Sequence, residues 1–160
     1  MAQVSRRAAP APAQELTDTS LVLRRRLPAP REDVFRAWTQ PEQLRRWSCP
    51  VGFEVVEAVV DLRQGGRYRL GMRSPAGEVF TTTGVYREIS PPERLVYTWR
   101  WSDPDALETL VTVEFEDLGQ ETGLVLRHER FADPARRDSH LGGWNGCLQN
   151  LEGFFAARAK

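Results

Sequence analysis

From Phe53 onward the chain alternates apolar and polar residues with period two, and each alternating run closes on a turn signal. Residues 53–62 predict a strand, which Gln64-Gly65-Gly66 turns into residues 67–73, where Tyr68, Leu70 and Met72 oppose Arg67, Arg69 and Arg73. Ser74-Pro75-Ala76-Gly77 leads into residues 78–89, a long strand in which Gly84 is placed to mark a bend or bulge. Pro91-Pro92 stops that strand. Residues 94–101 alternate most clearly, with Leu95, Tyr97, Trp99 and Trp101 expected inward and Val96, Thr98 and Arg100 outward. Residues 109–115 put Thr109, Val111, Val113 and Phe115 on one side. After a turn at 117–119, Leu124, Leu126 and His128 share a face of the final strand.

Both ends depart from this rhythm. Near the start, residues 21–27 form a strand with Leu21, Leu23 and Leu27 on one face. Pro28-Ala29-Pro30 ends it, and a short helix through Trp38 follows, with Glu32 and Asp33 at its positive end and Val34, Phe35, Ala37 and Trp38 as its apolar face. Pro41 opens a second short helix carrying Leu44 and Trp47. At the other end, from Asp133 to Lys160, Leu141, Trp144, Leu148, Leu151 and Phe155 recur at spacings that put all of them on one face of a helix. Asp133 is its expected N-cap and Pro134 its first residue. Gly142, Gly143, Gly146 and Gly153 weaken that helix by roughly 1 kcal/mol each relative to alanine. It therefore needs a large apolar partner, and the strands supply one. The expected fold class is α+β: a curved antiparallel sheet of about seven strands wrapped around a long C-terminal helix, with two short helices after the first strand and a gap at one end.

Composition narrows the functional classes. The 160 residues fit one domain, residues 21–160, after a tail at 1–20 that is poor in large apolar groups and is expected to be disordered. With 22 basic and 22 acidic residues the net charge is zero, which favours neither nucleic acid nor an anionic membrane as partner. No apolar run approaches the roughly 20 residues that span a bilayer. Arg6-Arg7 is not followed by the apolar run of an export signal. The two cysteines, Cys49 and Cys147, and the two histidines make neither a disulfide framework nor a metal-ligand pattern, so no metal is expected and a reducing, cytoplasmic location is. Arg24-Arg25-Arg26 divides between two strand faces and reads as a solvated surface rather than a phosphate site. Gln64-Gly65-Gly66 lacks the following helix that a phosphate loop requires.

The stretches PREDVFRAWTQPEQLRRW (30–47), DLRQGGRYRL (61–70), EISPPERLVYTW (88–99), TLVTVEF (109–115), HERF (128–131) and GWNGCLQNLEGFF (143–155) occur in this order. Together with the element order they resemble the helix-grip fold of START domains, the birch pollen allergen and polyketide cyclase-like proteins (the START/SRPBCC superfamily). The resemblance is closest to its bacterial AHSA-type branch, named for the activator of the 90-kDa heat-shock-protein ATPase, and it spans residues 21–156. It implies a fold and a pocket between sheet and helix rather than a particular activity, and no cofactor.

The candidate pocket comprises Trp47, Tyr68, Leu70, Tyr97, Trp99, Trp101, Phe115, His128, Trp144 and Leu148. Several indoles and phenols converging between sheet and helix suit an amphipathic cavity, since each needs a polar partner when buried; the plainer alternative is that they are core. His128 is a candidate general base, against the plainer reading of a hydrogen-bonded histidine lining the cavity or facing the end of the helix; His140 could meet it across the gap, and in an enzyme a nearby carboxylate could move protons in its place. Cys49 and Cys147 read as packed thiols. Three functions follow: a binding domain for a hydrophobic or amphipathic small molecule, a module that meets a chaperone or another protein, and a cyclase- or hydratase-like enzyme. A monomer and a homodimer are both compatible with the sequence.

Overall fold

A computed structural model describes residues 12–158. In chain order it contains β1 (Gln14–Thr17), β2 (Ser20–Leu27), α1 (Arg31–Thr39), α2 (Pro41–Trp47), β3 (Glu54–Val60), β4 (Arg67–Arg73), β5 (Val79–Ser90), β6 (Arg94–Trp101), β7 (Thr109–Leu118), β8 (Glu121–Glu129) and α3 (Pro134–Arg158). All the strands join one antiparallel sheet in the order β1-β2-β8-β7-β6-β5-β4-β3. Strands β3 to β8 are a meander whose last member pairs with β2, so α1 and α2 carry the chain from the β2 side of the sheet to the β3 edge. This is the helix-grip arrangement.

Among the described residues the strand count is eight rather than seven. The additional strand is β1, inside the stretch 1–20 expected to be a tail. Gln14 lies opposite Leu23 and Thr17 opposite Ser20, yet all four β1 residues are exposed. Backbone pairing rather than burial makes this strand, so no apolar alternation announces it. Residues 1–11, the remainder of that tail, and 159–160 at the end of the expected helix lie outside the described residues.

Local chemistry accounts for the helices. The Asp133 carboxylate accepts the Arg136 backbone N–H at 2.8 Å, the expected N-cap, with Pro134 as the first helical residue of α3. Trp144, Leu148, Leu151 and Phe155 are buried as the spacing predicts, Leu141 is half-buried, and Cys147 joins the same face. Gly146 is where α3 meets the loop after α2: a Cβ there would sit 2.9 Å from the Val51 backbone nitrogen. A side chain at this position would push the helix off its seat.

In the sheet, the β5–β6 ladder pairs Thr83 with Arg100 and Tyr86 with Tyr97, and its register slips between Tyr86 and Glu88. Next to the slip, the Tyr68 hydroxyl from β4 donates to the Thr98 carbonyl of β6 at 2.6 Å, crossing β5 at Gly84. A Cβ on Gly84 would lie 1.9 Å from that carbonyl oxygen and 2.4 Å from the tyrosine ring, so only glycine fits. Thr98 turns its hydroxyl to the Val85 N–H at 2.8 Å, which explains why Thr98, expected outward, is buried; Val96, also expected outward, is buried as well. The three arginines of β2 separate as expected. Arg24 pairs with Glu15 and Arg26 with Glu121, while Arg25 points inward and reaches Asn145 of α3 at 2.7 Å.

Candidate functional site: an aromatic cleft at the open end of the grip

Where α3 leaves the sheet, its first half faces the ends of β5 and β6 across a cleft of about 560 Å³. Phe53, Phe80, Trp99, Trp101 and Trp144 form its apolar walls, with Met72 and Cys147 among the remaining lining residues. Asp103 and Asp105 come from the β6–β7 loop, and Arg136, Ser139 and His140 from the opening turns of α3. Behind Trp99, Trp144 and Cys147 lies a second space of only about 30 Å³, with Trp38, Trp47, Tyr68, Leu70, Tyr86 and Tyr97 in its wall. That volume holds no more than a few water molecules.

The expected pocket is thus divided. Trp47, Tyr68, Leu70 and Tyr97 line the small inner space alone, Trp101 lines the cleft alone, and Trp99 and Trp144 line both. Phe115, His128 and Leu148 line neither and are fully or almost fully buried core. The inner space is small because the rings that would enclose it interlock. Trp38 packs tilted against Trp47 with centroids 4.6 Å apart and stacks on Trp144 at 6.3 Å, and Tyr97 meets Tyr68 edge-on at 5.3 Å. Trp38 is the central residue that the sequence reading left out of the pocket. Its Nε1 donates to the Tyr97 hydroxyl at 3.1 Å, while Trp47 Nε1 donates to the Ala37 carbonyl at 2.9 Å. Phe53, Phe80, Arg136 and the two loop aspartates of the cleft were also left out, because they sit at element ends where alternation carries no information.

His128 has no access to solvent and both its ring nitrogens are engaged. Trp144 Nε1 donates to Nδ1 at 2.9 Å, and the Thr109 hydroxyl lies 2.7 Å from Nε2. Because that hydroxyl spends its single proton on the Trp99 carbonyl at 2.9 Å, Nε2 carries the imidazole proton and donates it to Thr109. Burial, helped by nearby His140, holds the His128 pKa well below the ordinary histidine value and keeps the ring neutral. The arrangement is that of a satisfied structural histidine, with no free lone pair to take a proton from a ligand. His140 does meet it, with ring centroids 4.8 Å apart, and also packs against Phe131 and Trp101. Burial and the charge of Arg136 lower the His140 pKa to about 4, so at neutral pH this cleft residue offers an uncharged imidazole.

Burial raises the Cys147 thiol well above its ordinary pKa and raises that of Cys49 too, which leaves both as protonated, unreactive thiols. Among the described residues, no group of three or more His, Cys, Asp or Glu side chains could hold a metal ion, and no helix is long and apolar enough to cross a membrane. A hollow of about 690 Å³ over β2, β8 and β7 is larger than the cleft, but it is lined by arginines and glutamates with Phe115 its one aromatic residue. The cleft is the better candidate on chemistry.

The family model described as "Activator of Hsp90 ATPase homolog 1-like protein" matches residues 28–156. No curated protein matches the chain. Among solved structures, a protein from Chromobacterium violaceum is 29% identical, with 86% of this chain and 96% of that one covered and a TM-score of 0.79. A protein from Nitrosomonas europaea is 26% identical over 88% of this chain and 96% of its own, at a TM-score of 0.76. The AHSA1 protein from Silicibacter pomeroyi is 25% identical, covering 87% and 99%, with a TM-score of 0.79.

Proposed function

Since the chain belongs to the activator of Hsp90 ATPase homolog 1-like family, we propose that it is a binding domain whose cleft takes a hydrophobic or amphipathic small molecule. The observation that carries this reading is the cleft itself: about 560 Å³, walled by Phe53, Phe80, Trp99, Trp101 and Trp144, with the exposed polar side chains of Asp103, Asp105, Arg136 and Ser139 at its rim and the half-buried His140 among the rings. That volume is within the range of small-molecule sites, which are commonly apolar with a few convergent polar groups. Arg136 and Ser139 on one side and Asp103 and Asp105 on the other give the rim both donors and acceptors, which suits an amphipathic ligand lying with its apolar body inside. The domain then acts by sequestering, sensing or delivering its ligand, in keeping with a cytoplasmic location.

The two other functions draw less support. An enzyme of this pocket would lack His128 as its base, because both ring nitrogens are committed to Trp144 and Thr109. A chaperone-binding role rests on the family name alone.

The test is a titration with N-phenyl-1-naphthylamine, an uncharged apolar fluorophore. A saturable rise in its emission at one probe per chain is expected, together with a higher melting temperature at saturating probe. Phe80→Ala and Trp101→Ala should weaken that binding. Absence of saturable binding to the native chain would overturn the reading.

A further inference from the structure

Two buried side-chain polar atoms among the described residues have no hydrogen-bond partner, Arg31 Nε and Trp99 Nε1. Arg31 has other guanidinium nitrogens and uses one on the Phe115 carbonyl at 3.4 Å. An indole has only one donor. The other three buried indoles all place theirs: Trp38 on the Tyr97 hydroxyl, Trp47 on the Ala37 carbonyl and Trp144 on His128. Trp99 is the exception, although it is 8% exposed and carries the same desolvation cost.

Its position gives the exception meaning. Trp99, Trp144 and Cys147 are the three residues shared by the cleft and the small inner space, so they form the wall between them. Trp144 is tied to His128, and the Cys147 thiol is at most a weak donor. Around Trp99 stand Trp101, nearly perpendicular at 5.5 Å, and Trp144 at 5.6 Å, whose ring faces accept an N–H only weakly, together with the imidazoles of His128 at 5.8 Å, both of whose nitrogens are committed, and His140 at 6.1 Å, which takes no hydrogen bond from Trp99. A strong donor thus stands uncommitted in the aromatic wall of the cleft.

Resting on the binding role above, we propose that Trp99 Nε1 is a specificity-determining donor and that the ligand carries an uncharged acceptor, a carbonyl or ether oxygen, at its buried end. A carboxylate is disfavoured there, because one neutral donor among rings cannot replace the water a charge gives up. The charged and polar side chains of Arg136, Ser139 and Asp103 are at the mouth, so any ionic group of the ligand faces outward. A buried donor of this kind favours a ligand that brings the acceptor over an analogue that lacks it, which turns the orphan N–H into a selection rule.

Two near-isosteric probes separate the alternatives: 2-acetylnaphthalene, with a carbonyl, and 2-isopropenylnaphthalene, with a methylene in its place. The ketone should bind the native chain about tenfold more tightly, the size expected for one neutral hydrogen bond formed in a dry site. In a proton–nitrogen correlation spectrum, the Trp99 indole signal should move downfield with the ketone and not with the alkene. Trp99→Phe should bring the ketone down to the alkene's affinity. Should that variant not fold, the native-chain affinities and the indole signal still decide. Equal affinities for the two probes, or a ketone-specific shift at a different indole, would overturn the acceptor rule while leaving the cleft as a binding site. If neither probe binds, the acceptor rule and the binding role both fail.

Discussion

His128 Nδ1 accepts the indole N–H of Trp144 at 2.9 Å, tying the last strand of the sheet to the middle of the long helix. The bond lies in a region closed to water, and the same imidazole serves Thr109 through its other nitrogen. His128→Ala removes a packed ring and orphans the Trp144 N–H, so it should destabilise the fold by about 3 to 5 kcal/mol in chemical denaturation. Trp144→Phe leaves the ring volume partly filled and should cost less. A double-mutant cycle between the two should return a coupling near 1 kcal/mol. Additive effects would show that the bond contributes little beyond packing.

The α3 glycines should divide into two kinds. At Gly142, Gly143 and Gly153 an added Cβ meets nothing within 4 Å, so alanine should stabilise the helix by about 0.5 to 1 kcal/mol at each. Gly146→Ala should destabilise instead, because its Cβ would press on the Pro50–Val51 backbone. Gly84→Ala should be worse than any of these. Gly143 lines the cleft, so its alanine variant should gain stability while losing some ligand affinity. Melting temperatures of the five single variants provide the ranking, and a stabilising Gly146→Ala would contradict the seating of α3 described above.

Stability should also fall in mild acid. An unfolded histidine takes up a proton near pH 6.5, whereas folded His128 and His140 both resist it, His140 down to about pH 4. The unfolded chain therefore binds more protons between those values, and the stabilisation present above pH 6.5 is lost as pH falls through this window. For His140 the loss is at most about 3 kcal/mol, less to the extent that its partly exposed ring is screened. Urea midpoints measured from pH 7 to pH 4 should decline, and His140→Gln should make that decline shallower. An unchanged slope in the variant would remove His140 from the account.

Substitutions in the cleft and in the core should separate affinity from stability. Phe80 is 38% exposed, so Phe80→Ala should lower ligand affinity about tenfold at a stability cost near 1 kcal/mol. Phe115→Ala and Leu148→Ala should each cost about 3 to 5 kcal/mol, since both side chains are buried and line neither space. If either core variant weakened ligand binding as much as Phe80→Ala while remaining folded, the division of the expected pocket would be wrong.

The elements were legible wherever burial imposes a period. The face Trp144, Leu148, Leu151 and Phe155, the Asp133 cap and the inward placing of Leu95, Tyr97 and Trp99 on β6 all follow from the order of residues, whereas Val96 and Thr98 between them are buried as well. What escaped has physical causes. β1 is exposed along its whole length, so its residues carry no apolar pattern. The filling of the interior depends on how Trp38, Trp47, Tyr68 and Tyr97 interlock, and alternation tells only which way a ring points, not how much room remains beside it. The cleft draws Phe53 and Asp103 from turns and loops and Arg136 from the first turn of a helix, where spacing says little about which residues meet. The absence of a partner on Trp99 is likewise a property of the assembled walls.

Tyr68 has one more implication. By spanning from β4 to the Thr98 carbonyl of β6 over Gly84, its hydroxyl rivets three adjacent ribbons together behind the inner space. That side of the grip cannot bow outward without breaking a buried bond, whereas the opening turns of α3 are for the most part exposed or half-buried and carry two unsupported glycines. A guest too bulky for the resting cleft should therefore be accommodated by the rod rather than the ribbon. Its arrival would register as altered amide exchange near residues 136–143 while the middle strands keep theirs.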